Sequence, residues 1–216
     1  MGGRAHIRCG FVLKAVSCRK ESVAYLTISY LVQFYKGDKS VVLQKLIHWD
    51  EVVTRRCYFA FQNKQLIALL QKISWLGDGP IWLVLIVGFP IVQGKQGFYV
   101  SLSMLLAALI NVFCFKPIKS CIKRQRPFVR FDDMVAKTKA GGQYSFPSSH
   151  TTHAVSFLVG LGVFQPSLVV LMGVFVLVIA LSRVILGVHY LGDIFIAAVL
   201  GVASGISAVL VVTYTL

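Results

Sequence analysis

Residues 167–182 read SLVVLMGVFVLVIALS and residues 194–212 read IFIAAVLGVASGISAVLVV, and neither run holds a charged side chain. A backbone placed in hydrocarbon must satisfy its own polar groups, which leaves only helices or closed barrels. Unbroken apolar runs without two-residue alternation select helices. Shorter runs of the same kind lie at about 80–96, 98–115 and 151–165, separated by the turn signals Gly94-Lys95-Gln96-Gly97 and Gln165-Pro166. The last span begins near 188 or 193 and runs to residue 216. With 56% hydrophobic and 14% charged residues, an ordinary soluble domain is excluded.

The expected fold is therefore all-α: a polytopic membrane bundle of five to six transmembrane helices with interfacial amphipathic helices. Residues 80–216 form the core, and residues 1–79 form an N-terminal basic and amphipathic region. Within the latter, residues 1–22 suit a basic segment on a membrane surface, and 23–35 (VAYLTISYLVQFY) is a short candidate first span. From Lys36 to Gly79 apolar residues recur at helical intervals among Lys and Arg, predicting two interfacial helices anchored by Trp49 and Trp75. No secretory cleavage site or myristoylation signal is present at Met1–His6, so the whole chain is expected in the mature protein.

The net charge is +14, and in a hydrophobic chain such an excess points to anionic lipid head groups. Nucleic acid is excluded as partner, because the basic residues sit between apolar spans without zinc-ligand spacing or an aromatic RNA-binding motif. Five cysteines without a CxxC pair argue against a disulfide framework and a zinc site.

Polar groups embedded in this apolar pattern locate the chemistry. In Ser182-Arg183-Val184-Ile185-Leu186-Gly187-Val188-His189-Tyr190-Leu191-Gly192-Asp193, the histidine and aspartate are four residues apart, so the carboxylate can hold one ring nitrogen and leave the other free. Arg183, six residues before His189, would point about 120° away on one unbroken helix. A break near Gly187 is expected. A second cluster, Lys116 to Phe128, opens the long connection 116–146 and carries Lys119, Lys123, Arg124 and Arg126. Arginine grips phosphate oxygens in a fork and lysine adds a point charge. The connection ends in Ser145-Phe146-Pro147-Ser148-Ser149-His150, where Ser148 or Ser149 is a natural N-cap and a helix start favours anions. Counting spans, all three clusters reach one membrane face.

These three motifs, Lys119…Arg126-Pro127, Pro147-Ser148-Ser149-His150 and Ser182-Arg183…His189…Asp193, resemble in order and spacing those of the type 2 phosphatidic acid phosphatases, whose superfamily includes glucose-6-phosphatase and vanadium haloperoxidases. Ser149 stands where that family usually has glycine. The resemblance implies that His189 is a nucleophile forming a phosphohistidine, that Asp193 orients it and that His150 is the general acid. Lys119, Arg126, Arg183, Ser148 and Ser149 would bind the phosphate. It implies a lipid phosphatase without metal or other cofactor, acting on a lipid of the undecaprenyl diphosphate, phosphatidylglycerol phosphate, lipid A or phosphatidic acid type. Lipid phosphotransfer and a non-catalytic scaffold or transporter are the alternatives. His153 is expected to be structural, and Lys123, Arg124, Lys137 and Lys139 to attract the head group. The positive-inside rule would turn the basic site face to the cytoplasm, whereas the resemblance implies the extracytoplasmic or luminal face. The latter is expected, because the charges have a substrate to bind.

Overall fold

The computed structural model describes residues 41–215. The surface segment 1–22 and the candidate span 23–35 lie outside the described residues. Eight α-helices follow one another, with no strand among the described residues: α1 (Val41–Ala60), α2 (Lys64–Leu76), α3 (Pro80–Gln93), α4 (Lys95–Ile122), the single turn α5 (Pro127–Arg130), α6 (Ser149–Phe164), α7 (Val169–Ile185) and α8 (Leu191–Thr215).

The helix boundaries follow local chemistry. Asn63 caps α2 by accepting from the backbone N–H groups of Gln65 and Leu66, and Pro80 opens α3 where a missing N–H costs nothing. Only one residue of the expected Gly94–Gly97 turn breaks the chain. Gly94 takes a positive φ of 58° between α3 and α4. Gly97 lies inside α4, where a Cβ would fall 1.9 Å from the Phe89 carbonyl oxygen, so its role is the close approach of two backbones. Pro166 starts a 3₁₀ turn ahead of α7, as the Gln165-Pro166 signal predicts.

The expected long connection starting at Lys116 requires correction. Helix α4 continues through Pro117 to Ile122, 28 residues or about 42 Å, well past the hydrocarbon core. Lys119 thus rides on the last turn of a helix instead of a loop, and the chain leaves the helix at Lys123 in a left-handed conformation, φ 54°. A proline costs a helix one hydrogen bond but does not end it when tertiary packing holds both sides, and here Ile118 and Ile122 are buried.

By length and composition α4, α7 with its 3₁₀ turn, and α8 can each cross a membrane, and α2 and α3 together pass as one broken span bent by 45°. The count of five to six further relied on residues 23–35 and on α6, whose 16 residues fall short of that length. Helix α6 is also the hub of the bundle. It packs against α4, α7 and α8 and is buried at Thr151, Thr152, Ala154, Ser156, Phe157, Gly160 and Leu161. Lipid tails are as apolar as leucine, so contact between such helices depends on close packing and interhelical hydrogen bonds. Gly201 and Gly205 of α8 provide that closeness: a Cβ there would lie 2.7 Å from the Thr152 carbonyl oxygen and 2.8 Å from that of Ser156. Asn111 of α4 donates to Ser156 Oγ at 2.9 Å. Val84, Val87 and Ile91 of α3, Val170, Leu171 and Val174 of α7 and Phe195 and Val199 of α8 turn outward and form the lipid-facing surface.

Candidate active site

The sequence from Ser182 to Asp193 folds as expected around a break. Helix α7 ends at Ile185 with Arg183 in its last turn, Gly187 takes φ 78°, and α8 begins at Leu191. His189 sits on the link just before α8 and Asp193 in its first turn. The two do share one side, but through a loop rather than along a common helix. His189 Nδ1 stands 3.5 Å from Asp193 Oδ2, at the outer edge of hydrogen-bond distance, and makes no well-formed bond. The same Oδ2 accepts from the Tyr190 backbone N–H at 3.0 Å, so Asp193 also caps the helix start.

The other ring nitrogen, His189 Nε2, lies 3.3 Å from Arg126 Nη1. Arg126 is 1% exposed, and it also donates from Nε to the Gly142 carbonyl at 2.9 Å and from Nη1 to the Val188 carbonyl at 2.8 Å. Arg183 donates to Ser74 Oγ of α2 and, at 3.2 Å, to the Lys139 carbonyl. Arg126 Nη2 and Arg183 Nε are buried without an acceptor among the described residues. Buried guanidinium donors are costly to leave unpaired, so both atoms are donors open to an acceptor. Burial holds the His189 imidazole far below its ordinary value, at about 3, so it is neutral and one nitrogen keeps its lone pair.

At the start of α6, Ser148 is the buried N-cap residue; its hydroxyl accepts from Thr151 Oγ1 at 3.2 Å and not from the backbone of α6. Ser149, in place of the expected glycine, is exposed and accepts from Lys119 Nζ at 3.3 Å. His150 Nε2 lies 2.9 Å from Asp78 Oδ1, and this hydrogen bond holds the Asp78 carboxyl below its usual range. His153 turns Nδ1 to the Ser149 carbonyl at 2.8 Å. Lys119, Arg126, Ser149, His150, His153 and His189 line a single cavity of about 380 Å³, with Trp82 and Phe157 forming its apolar wall. Ser148, Arg183 and Asp193 stand behind that lining.

A sequence model of the family described as the PAP2 superfamily matches residues 96–216, more than half the chain. The chain belongs to the PAP2 superfamily. Two relatives from strains of Mycobacterium tuberculosis, each named decaprenylphosphoryl-5-phosphoribose phosphatase, are 38% identical over 90 residues, which is 41% of this chain and 48% of theirs. The chain thus spans about half the length of the curated relatives it matches. Among solved structures, the PAP2-type phosphatidylglycerolphosphate phosphatase of Bacillus subtilis superposes with a TM-score of 0.65 at 23% identity, over 89% of this chain and 96% of that one. LpxE of Aquifex aeolicus superposes with 0.63 at 20% identity, over 72% and 92%. Both likenesses concern the fold, a PAP2-type membrane helix bundle.

Three members of the site region escape a motif reading. Arg124, expected to attract head groups from outside, is instead drawn inward: it donates from Nη1 to Asp193 Oδ1 at 2.8 Å and from Nη2 to Asp50 Oδ2 at 2.7 Å, over the Tyr190 ring. Asp50 and Asp78 come from α1 and the α2–α3 turn, outside the family match. Lys137 is likewise engaged, donating to Gln62 Oε1 at 2.6 Å above the Tyr58 ring, whereas Lys123 is exposed.

Proposed function

We propose that this PAP2 protein is an integral-membrane lipid phosphatase that hydrolyses a lipid phosphomonoester or diphosphate through a phosphohistidine at His189. One observation carries the reading: a neutral, buried histidine whose Nε2 meets Arg126, the two residues lining one cavity together with Lys119 and a second histidine, His150. Phosphoryl transfer needs little covalent help from a protein beyond a nucleophile and an acid. It needs charge placed around the equatorial oxygens.

Substrate phosphate enters against Lys119 and Ser149 and takes the unpartnered donor Arg126 Nη2, while Arg183, whose buried Nε is also unpartnered, adds its charge from behind the lining. It displaces Arg126 Nη1 from the His189 lone pair. Nε2 then attacks phosphorus, the N–P bond forms as the ester P–O bond breaks, and His150 gives its proton to the leaving oxygen. Asp193, on the Nδ1 side, stabilises the positive charge that develops on the ring. In the second half, His150 takes a proton from water, whose oxygen attacks phosphorus and restores neutral His189. Asp78 keeps the His150 ring turned for both transfers. The cationic groups supply the charge that metal ions provide elsewhere, and activity in EDTA is expected.

The names of the relatives support a phosphorylated lipid as substrate, and a prenyl-linked or glycerol-linked carrier suits the apolar wall of the cavity. An alcohol in place of water would give phosphotransfer from the same intermediate. The site is proposed to face the extracytoplasmic or luminal side. Purified protein should release phosphate from one of the prenyl diphosphate, phosphatidylglycerol phosphate, lipid A or phosphatidic acid class. Full release by a His189→Ala variant would overturn the mechanism.

A further inference from the structure

Helix α1 buries only three residues, Asp50, Thr54 and Tyr58. Their spacing of four places them on one face. All three are polar or carry a hydroxyl; Asp50 and Thr54 meet the first turn of α8, and Tyr58 meets the link between α7 and α8. Asp50 Oδ1 accepts from the Gly192 N–H at 2.7 Å, and Thr54 Oγ1 accepts from the Leu191 N–H at 3.1 Å. These are two of the first free donors of α8, capped from another helix instead of by the local chain. Tyr58 lies against Gly187, where a Cβ would fall 3.0 Å from Cε2 of the ring.

The second oxygen of Asp50 binds Arg124, whose guanidinium forks between Asp50 and Asp193. Gly192 fits this arrangement: a Cβ there would lie 2.9 Å from Asp50 Oδ2, in the space the carboxylate fills. A buried carboxylate with a cation and a backbone donor both in reach is a specific device, since either partner lost leaves a charge or an N–H unpaired.

We propose that Asp50, through Arg124 and the first turn of α8, is the positioning residue that fixes the His189–Asp193 pair, and that α1 acts as a clamp on the nucleophile link. The proposal rests on His189 being the nucleophile. The link 186–190 is a turn whose amides from Leu186 to His189 bond back to carbonyls at the end of α7, which holds its α7 side only, and His189 is reached from Asp50 by two short paths. One runs through Gly192 and Leu191 in the chain, and the other through Arg124 to Asp193. Removing Asp50 leaves the phosphate-binding side chains Lys119, Arg126 and Arg183 in place, because none of them bonds to it.

The test compares Asp50→Ala, Asp50→Asn and Gly192→Ala in detergent-purified full-length protein, reading kcat and KM on a lipid phosphate and amide hydrogen exchange of residues 186–193. Asp50→Ala should lower kcat on the order of 10- to 100-fold with KM nearly unchanged, as misplaced catalytic groups do. Exchange across 186–193 should rise while the α6 and α8 cores stay protected, which separates a loosened link from an unfolded protein. Asp50→Asn, which keeps an acceptor for Gly192, should protect the link better than Asp50→Ala. Gly192→Ala, which displaces the carboxylate without removing it, should reproduce the loss in kcat. Unchanged kcat and unchanged exchange in folded Asp50→Ala overturn the clamp, and so does a loss expressed in KM alone. If wild type turns over but His189→Ala is equally active, it is the nucleophile assignment that fails, and the exchange data still report on the link.

Discussion

Replacing Arg126 by lysine keeps the charge and removes the fork, and the consequences can be worked bond by bond. The guanidinium satisfies the Gly142 carbonyl from Nε and the Val188 carbonyl from Nη1, while Nη2 has no acceptor among the described residues. A single ammonium nitrogen cannot hold both carbonyls and still present a donor to phosphate. At least one carbonyl is orphaned, at a cost of about 1–3 kcal/mol. Losing one donor to the transition-state oxygens costs about 2.7–4 kcal/mol, or roughly 10²–10³-fold in kcat. The Val188 carbonyl borders His189 directly, so losing that hydrogen bond also loosens the link that carries the proposed nucleophile. Phosphate release at saturating lipid measures kcat, and thermal unfolding in the same detergent measures stability. Arg126→Lys should therefore lose roughly 10²–10³-fold in kcat and, separately, about 1–3 kcal/mol of stability. A variant within about threefold of wild-type kcat, unfolding at the wild-type temperature, would refute the assignment of the fork to the transition state.

Other outcomes follow from the same geometry. The acid limb of kcat/KM should fall well below the ordinary imidazole range near 6.5, because burial opposes protonation of His189 and keeps its lone pair as pH drops towards about 3; an acid limb at 6.5 or higher would contradict this. Asp78→Asn should lower turnover about tenfold on natural lipids and much less on an aryl phosphate whose leaving group needs no proton; equal losses on both would remove Asp78 from the acid's support. Gly205→Val places bulk against the Ser156 carbonyl and the Val159 side chain and should destabilise the bundle by about 1–3 kcal/mol, measured by unfolding in detergent. In a cysteine-free background, Lys123→Cys should react with an impermeant maleimide on intact cells, and Lys95→Cys, at the far end of α4, only after permeabilisation. The reverse pattern would place the site in the cytoplasm.

Apolar runs and punctuation made the helical class legible, and three spaced motifs made the cluster legible, because each residue type has few reasons to sit in apolar sequence. The extent of α4 was not legible. Pro117 looks like a stop signal locally, and only the burial of Ile118 and Ile122 carries the helix past it. Arg124 was misread for a related reason. In sequence it is one charge in a basic run, and its acidic partners lie 69 and 74 residues away. Asp50 and Asp78 belong to no motif, although a chain with 8 acidic against 22 basic residues offers few carboxylates to any cation. That scarcity was the available signal. The break at Gly187 was legible because Arg183 and His189 could not share a side of one helix. The clamp by α1 was not, since a face of Asp50, Thr54 and Tyr58 reads as solvent-facing until something is seen to cover it.

The most direct test of the central claim is to quench the enzyme during turnover of a phosphorus-labelled lipid phosphate and map the label on the protein. An acid-labile, base-stable phosphoryl group should appear on His189 in wild type, accumulate when His150→Ala slows hydrolysis, and be absent from His189→Ala. Label on another residue, or turnover in His189→Ala with no labelled protein, would contradict it.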